Sequence, residues 1–515
     1  MTRIIKVHPA DNVAIAVKDL EGGTEIAAGL TTREDIPQGY KIALRDLKKG
    51  EELIRYGVSL GRLTVDVKAG GLIGEDFPEL PPAPDLNSLP WGIAPAVRNF
   101  SNIPADGADP DLPDLPKTFE GYEVPRNPFA GTRNILGIMT TVQCVTGVVN
   151  VAVRRIREEL LPKYPQVDDV TAINHAYGCG VAIDGRDSDI PRRTLKNLLH
   201  NPNFGGEILV VALGCEKYTP EMLLEPEENN PENVLVLQNS RGFREMTEAI
   251  LAMAEGKLRR LNQRRRKTLP LEKLCVGFQC GGSDAFSGVT ANPAAGYAGD
   301  LLVRLGGTCL FSEVTEVRDG VQYISARCTE REVAEKLVRE MRWYDEYLAR
   351  GGATSGDNPS PGNRQGGLSN IVEKTMGAIA KSGCSPITEV LSPGERPSRR
   401  GLIFAATPSS DFICGPLQLA SGIVLQVFMT GRGTPYGLAA APVIKVSSRT
   451  DLQDLWPDLI DLNAGTIAEG RESIEAAGER LFRMIIAAAD GRYKPRAEEY
   501  RLHNDICLFD PSPMT

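Results

Sequence analysis

The sequence predicts a multidomain α/β protein, with a small all-β module at its N-terminus and α/β domains built on a parallel sheet after it. Three observations carry that reading. The chain has 515 residues, and at roughly 150 residues per domain that is about three domains. Ten of the 39 residues from Pro78 to Pro116 are proline, which suits an extended, semi-rigid linker. Beyond it, continuous apolar runs alternate with amphipathic stretches, the pattern of parallel strands with both faces covered by helices.

Before the linker, residues 3–7, 13–17, 41–44 and 57–67 read as short strands separated by turns such as Glu21-Gly22-Gly23-Thr24. They form the β module, residues 1–75, and the linker takes 76–117. An α/β domain follows over 118–268, where strand 135–142 leads into helix 145–161 and strand 170–174 into helix 192–200. Strands 207–213 and 234–237 and helix 243–262 complete it. The last domain, 269–515, continues with strands 274–279, 308–314, 402–406, 422–428 and 443–446 and helices 330–348 and 473–489.

Composition excludes several classes. With 58 basic and 67 acidic residues the net charge is −9, which disfavours sequence-independent binding to nucleic acid. No apolar run approaches the roughly 20 residues of a membrane span, and the start MTRIIKVHPADN has no long apolar stretch or small-residue cleavage site. A cytoplasmic protein that binds neither nucleic acid nor membrane is expected. The basic run Arg264-Arg265-Arg266-Lys267 reads as a solvated helix end. Ten cysteines without a secretory signal are expected to be thiols, and the lack of any CxxC pair excludes a zinc ribbon or finger. GxxxxGKS/T, GxGxxG and HExxH are absent too, which argues against the common nucleotide sites and zincins.

The informative residues follow the strands. Gln143-Cys144, His175-Ala176-Tyr177-Gly178-Cys179-Gly180 and Gly214-Cys215-Glu216-Lys217 close three strands of the middle domain. Cys280-Gly281-Gly282-Ser283-Asp284, Ser312-Glu313-Val314-Thr315-Glu316 and Thr430-Gly431-Arg432-Gly433-Thr434-Pro435-Tyr436-Gly437 do the same in the last. Ligands of open α/β sheets sit beyond the carboxyl ends of the strands, so these turns are the expected site. A thiol beside glycine can be only a small buried residue where backbone passes closely; recurrence at Cys144, Cys179, Cys215 and Cys280 favours a shared role. His175 is one of four histidines able to serve as acid, base or ligand. Such a Cys/His set suits a borderline metal such as iron, and Arg133, Lys217 and Arg432 could grip carboxylates. The loop from Asn358 to Asn363 adds two amides for hydroxyls. Together these residues suit a small polyhydroxylated acid acted on by a Lewis acid.

The stretches KVHPADNVAIAV, LLPKYPQVDDV, HAYGCG, NPNFGGEILVVALGCEK, GFQCGGSDAFSGVTANPAAGYAGDLLVR, FSEVTEVRD, NPSPGNRQGG and TGRGTPYG resemble those of the altronate/galactarate dehydratase family. The resemblance covers almost the whole chain. EKTMGAIAKSG, EVLSPGERP and AATPSSDFICG look closer to the galactarate-acting members than to the altronate-acting ones. It implies an N-terminal β-clip domain of the SAF type, Rossmann-like α/β domains, and an iron-dependent hydro-lyase that converts galactarate to 5-dehydro-4-deoxy-D-glucarate. Altronate or another sugar acid as substrate, or a binding protein without turnover, stays open. On this basis the metal falls to the set Cys144, His175, Cys179, Cys215 and Cys280, as Fe(II) either mononuclear or in a labile cluster. The catalytic base is His175 or His8. Substrate contacts are expected from Asp11, Asn12, Arg133, Lys217, Ser283, Asp284, Asn358, Asn363, Arg432, Thr434 and Tyr436. A homodimer is expected, with 118–268 as the candidate interface, and His8 is expected to reach the substrate as part of a lid.

Overall fold

The structure, a computed structural model, describes residues 3–92 and 115–512. Much of the predicted linker, residues 93–114, lies outside the described residues.

The N-terminal module is all β. A four-stranded antiparallel sheet runs in the order Ile4–Ile5, Val13–Ala16, Lys41–Ala43, Leu72–Ile73, beside a three-stranded sheet of Glu52–Arg55, Val58–Leu63 and Pro78–Glu79. Pro78–Glu79 lies within the segment read as linker; proline is tolerated there because the strand is short and at a sheet edge. Tyr56 and Gly57, with φ of 57° and 74°, close the hairpin between Glu52–Arg55 and Val58–Leu63, as a two-residue turn with both centres left-handed does. Val13–Ala16 is buried at all four positions because both faces are covered. Val13 packs inside the module with Leu53 and Leu60, while Ile15 packs on Ala285 and Phe286 of the last domain.

A two-stranded antiparallel connector, Thr118–Gly121 with Lys267–Pro270, joins the other two domains. The basic run is part of this joint rather than a solvated helix end. Arg264 and Arg266 stack on Tyr122 at 5.1 and 4.8 Å, and Arg266 donates to the carbonyls of Glu120, Thr132 and Ala489. Guanidinium planes bury well when every N–H finds an acceptor.

The middle domain is a four-stranded parallel sheet in the order Asp169–Ile173, Ile135–Thr140, Val210–Ala212, Val234–Val236. Alternate residues of Ile135–Thr140 point into two different cores. Leu136 and Ile138 meet helices Thr146–Arg155 and Gly242–Leu261, whereas Ile135 and Met139 share a core with Phe428 and Tyr436 of the last domain.

The last domain is a seven-stranded parallel sheet in the order Ile387–Leu391, Leu402–Ala405, Thr308–Phe311, Cys275–Cys280, Leu425–Thr430, Val443–Ser447, Leu462–Asn463. Helices Ala291–Arg304, Arg331–Arg350 and Ile474–Ala489 pack on one face. Three helices of nine residues or more escape a reading from periodicity: Ala291–Arg304, Ile371–Ile379 and Asp411–Ala420. All three are apolar around much of their circumference, and Asp411–Ala420 also contains Pro416. Enclosure by neighbours, which the sequence alone does not reveal, overrides weak propensity.

Candidate active site

Cys275–Cys280 starts the large sheet at its centre; the chain then goes to Thr308–Phe311 on one side and returns to Leu425–Thr430 on the other. This reversal is a topological switch point, which leaves a crevice at the carboxyl ends. A cleft of about 610 Å³ opens there, lined by Cys280, Glu313, Glu316, Asn358, Asn363, Lys374 and Asp411 among others.

Its floor is a buried ionic cluster. Glu313 and Glu316 follow the strand Thr308–Phe311. Lys374 lies on helix Ile371–Ile379, and Lys381, seven residues later and so on the same face, lies on the short turn Ala380–Ser382. Lys381 pairs closely with Glu313, and its Nζ is 3.3 Å from Glu316 and 3.2 Å from Cys280 Sγ. Lys374 pairs with Glu316 at 3.0 Å and donates to Asn358 Oδ1 at 2.9 Å and Asn363 Oδ1 at 3.2 Å. Cys280 Sγ donates to Glu316 at 3.2 Å. Glu313 has a φ of 82°, a left-handed conformation that costs a non-glycine residue energy and concentrates at functional sites. Gly281 is required here, since a Cβ would lie 2.4 Å from the Asp411 carboxylate.

The two carboxyl groups are driven apart. Burial, and then the charge of Glu316, raise Glu313 to about 8 against the pull of Lys381. Burial also opposes ionisation of Glu316, but Lys374 and Lys381 together hold it at about 2. Burial works against the Lys381 ammonium as well, yet Cys280, Glu313 and Glu316 raise it well above an ordinary lysine. Burial pushes the Cys280 thiol far up. A carboxyl group titrating near neutrality beside a fixed ammonium group is suited to moving protons.

Cys280, Glu313 and Glu316 also place three ligand-capable atoms within 4.8 Å of one another, a possible metal-binding triad. In this structure the Lys381 ammonium contacts all three, so the cluster is charge-balanced by its own side chains.

Of the residues expected from sequence, Cys280, Asn358 and Asn363 line this cleft. Ser283 and Asp284 lie just beyond, where Ser283 accepts from Asn363 Nδ2 at 2.9 Å and Asp284 is held by Ser287, Ser448 and Arg449. Arg432 is exposed at the next strand end and reaches Gln365 at 3.4 Å, and Thr434 Oγ1 faces Gly282. Tyr436 is in the core, stacked on Phe428 at 4.7 Å.

The other expected residues are elsewhere. Arg133 is at the opposite, amino end of its strand, buried and paired with Glu498 at 2.6 and 2.7 Å. His8 is exposed in the β module and packs over Gly57. Asp11 accepts from the backbone of Val7, His8 and Gly57, and Asn12 bonds the backbone of Glu52 and Ile54, so both pin module turns. None of the four histidines lines the cleft.

Cys144, Cys179 and Cys215, all exposed, gather with His175 and Lys217 at the carboxyl ends of the middle sheet. His175 is buried; its Nε2 meets the Thr140 carbonyl at 2.7 Å, and burial lowers it to about 4. The five-residue metal set therefore falls into two places in two domains.

Sequence reasoning missed Glu313, Glu316, Lys374, Lys381 and Asp411 as site residues. The two glutamates stand in a strand-end turn that it singled out, but an acidic pair says nothing of a lysine arriving from 65 or 68 residues later. That contact belongs to the fold.

A crevice at a sheet switch point, floored by buried acid–base groups, defines a multidomain α/β enzyme. Residues 2–77 match the altronate/galactarate dehydratase SAF domain, 121–262 the second domain of D-galactarate dehydratase/altronate hydrolase, and 271–514 the D-galactarate/altronate dehydratase C-terminal domain. Galactarate dehydratase (L-threo-forming) of Escherichia coli (strain K12) is 51% identical over 99% of this chain and 97% of its own length. Altronate dehydratase of Bacillus subtilis (strain 168) is 32% identical over 96% of each. The beta subunit of (2R)-sulfolactate sulfo-lyase from Chromohalobacter salexigens is 30% identical over 62% of this chain and 82% of its own. The chain belongs to the D-galactarate/altronate dehydratase family.

Proposed function

We propose that the protein is a hydro-lyase that converts galactarate to 5-dehydro-4-deoxy-D-glucarate. The observation that carries the reading is the Glu313–Lys381 couple, buried beside Glu316 and Lys374 at the floor of a cleft of about 610 Å³. End-to-end similarity to a galactarate dehydratase supports the choice of substrate.

Dehydration of a sugar acid removes a weakly acidic proton alpha to a carboxylate, accumulates charge on that carboxylate and expels hydroxide. As a carboxylate, Glu313 can accept the proton; with its affinity raised to about 8 it can also return one to the departing oxygen. Lys374 and Lys381 are fixed, buried cations where negative charge develops, and such preorganised charge lowers the barrier most. Asn358 and Asn363 orient Lys374 and offer amides to hydroxyls. The reading includes iron, for which the donors that fit are the soft thiols of the middle domain. Bound iron supplies Lewis-acid polarisation of a hydroxyl or carboxylate.

The test is anaerobic protein with ferrous iron, a thiol and galactarate. A 2-keto acid trapped by semicarbazide is the expected product, and its absence overturns the assignment. Altronate lacks one of the two carboxylates of galactarate, so it should be turned over far less efficiently. Equal efficiency on altronate would move the protein to that activity.

A further inference from the structure

The middle domain has a switch point of its own. Ile135–Thr140 begins the sheet, Asp169–Ile173 lies to one side and Val210–Ala212 to the other. The three turns leaving these strands carry Cys144, Cys179 and Cys215. Each pair of turns is cross-bonded next to the thiols. His175 of the second bonds the Thr140 carbonyl of the first, and Gly178 lies against Thr141, where a Cβ would come within 2.1 Å of the carbonyl oxygen. Thr141 of the first donates to Glu216 of the third, whose carboxylate also accepts from the backbone of Leu213 and Gly214. Lys217 and Tyr218 of the third donate to the Gly178 carbonyl of the second at 2.9 and 3.3 Å.

Three thiols are thus held at one rim, and all three are exposed. Cysteine is among the most buried residues, so three at a single sheet end without core packing call for a ligand. They are also not all within 4.8 Å of one another, since among the described residues only Cys280, Glu313 and Glu316 meet that limit. A single tetrahedral ion, about 2.3 Å from each sulfur, would need them about 3.8 Å apart. At least one separation is therefore wider than a single tetrahedral ion would hold.

We propose that Cys144, Cys179 and Cys215 ligate an iron–sulfur cluster of the four-iron type, with three irons held by thiolates and the fourth left open. Three protein thiolates, one short of the four that fill such a cluster, leave that iron free to take an oxygen ligand. Assembly takes ferrous and ferric iron in equal amounts together with sulfide, so no electron need be gained or lost, and the three thiols lose their protons as the Fe–S bonds form. Packed elements link this rim to the acid–base cleft. Past Cys179 the chain reaches Asp187, which bonds Trp343 and Arg350 on the helix whose Tyr344 and Leu348 line the cleft. Phe412 lines the cleft as well and borders Ile173 at the end of the middle sheet.

The inference specifies the iron of the function proposed above, but its test reads metal rather than turnover. The full chain is reconstituted anaerobically with equal ferrous and ferric iron and with sulfide, desalted, and assayed for iron, acid-labile sulfide and the electron paramagnetic resonance signal after reduction. The expected result is about four iron and four sulfide per chain. Cys144→Ser, Cys179→Ser and Cys215→Ser should each weaken retention and the triple variant abolish it, while Cys280→Ser keeps the cluster. Circular dichroism of the triple variant should match the parent, since the thiols are exposed. Iron without sulfide, or an unchanged cluster in the triple variant, overturns the inference. A cluster without galactarate turnover would leave it standing and overturn the substrate instead.

Discussion

Lys381 is the residue on which the ionic cluster turns, because its ammonium is the common neighbour of Glu313, Glu316 and Cys280. Lys381→Met removes that charge but leaves the carboxyl groups enclosed. Breaking a buried pair in this way costs about 3–5 kcal/mol, and loss of the fixed cation should lower kcat at least about 100-fold. Urea unfolding and steady-state kinetics measure the two effects; wild-type turnover would exclude Lys381 from the chemistry. His175 has a different signature. It takes a proton near pH 4 in the folded chain and near 6.5 when unfolded, so the unfolded state binds more protons between those values. Stability must therefore fall as pH drops from 6.5 to 4, by up to about 3 kcal/mol. The difference in unfolding free energy between wild type and His175→Gln, followed over that range, should carry this slope and be flat above it.

Helix Ile371–Ile379 ties the β module to the site. Glu373, fully buried, accepts Lys41 and Arg55 of the module at 2.8 Å each, and the next residue, Lys374, points to the cluster and holds Glu316. Lys41 and Arg55 also reach the carbonyls of Gly367 and Ala285, so the module is docked on its own chain's last domain. Glu373→Gln would leave two buried cations undercompensated. The expected result is faster amide exchange across Val13–Ala16 together with reduced turnover; unchanged exchange would show that the ion pairs do not hold the dock. Close backbone approach does the rest. A Cβ on Gly288 would lie 2.3 Å from Gly377 Cα and 2.6 Å from the Tyr56 hydroxyl, so Gly288→Ala should cost about 1–3 kcal/mol and lower the melting temperature without changing iron content.

At the scale of the molecule, the β module is a wall of the last domain, because Ile15 and Val372 each belong to a core shared across that boundary. A chain beginning at Lys117 would expose Ala285, Phe286 and Val372 and strip Glu373 of both partners. It should lose turnover and stability together, and full activity in it would show that the module is an appendage. His8, expected at a lid, is exposed against Gly57 and does not line the cleft, so His8→Ala should leave kcat within about twofold, the ordinary outcome for an exposed substitution.

The sequence by itself determined the alternation of parallel strands and helices, the separate β module, and the strand-end turns where chemistry collects. Periodicity and turn residues are local, and Cys280-Gly281-Gly282 or Gly178-Cys179-Gly180 announces a strand end wherever the chain goes. It did not determine which turns meet. Cys280 was grouped with Cys144, Cys179 and Cys215 because all four sit at strand ends, yet the two sheets set them at separate switch points. Arg133 was read as free to bind a carboxylate, but Glu498, 365 residues later, holds it. Glu313, Glu316, Lys374 and Lys381 became one cluster only through folding. Charges so enclosed are tolerable only when opposite partners arrive from elsewhere, and which partners arrive is decided by the packing of the whole chain.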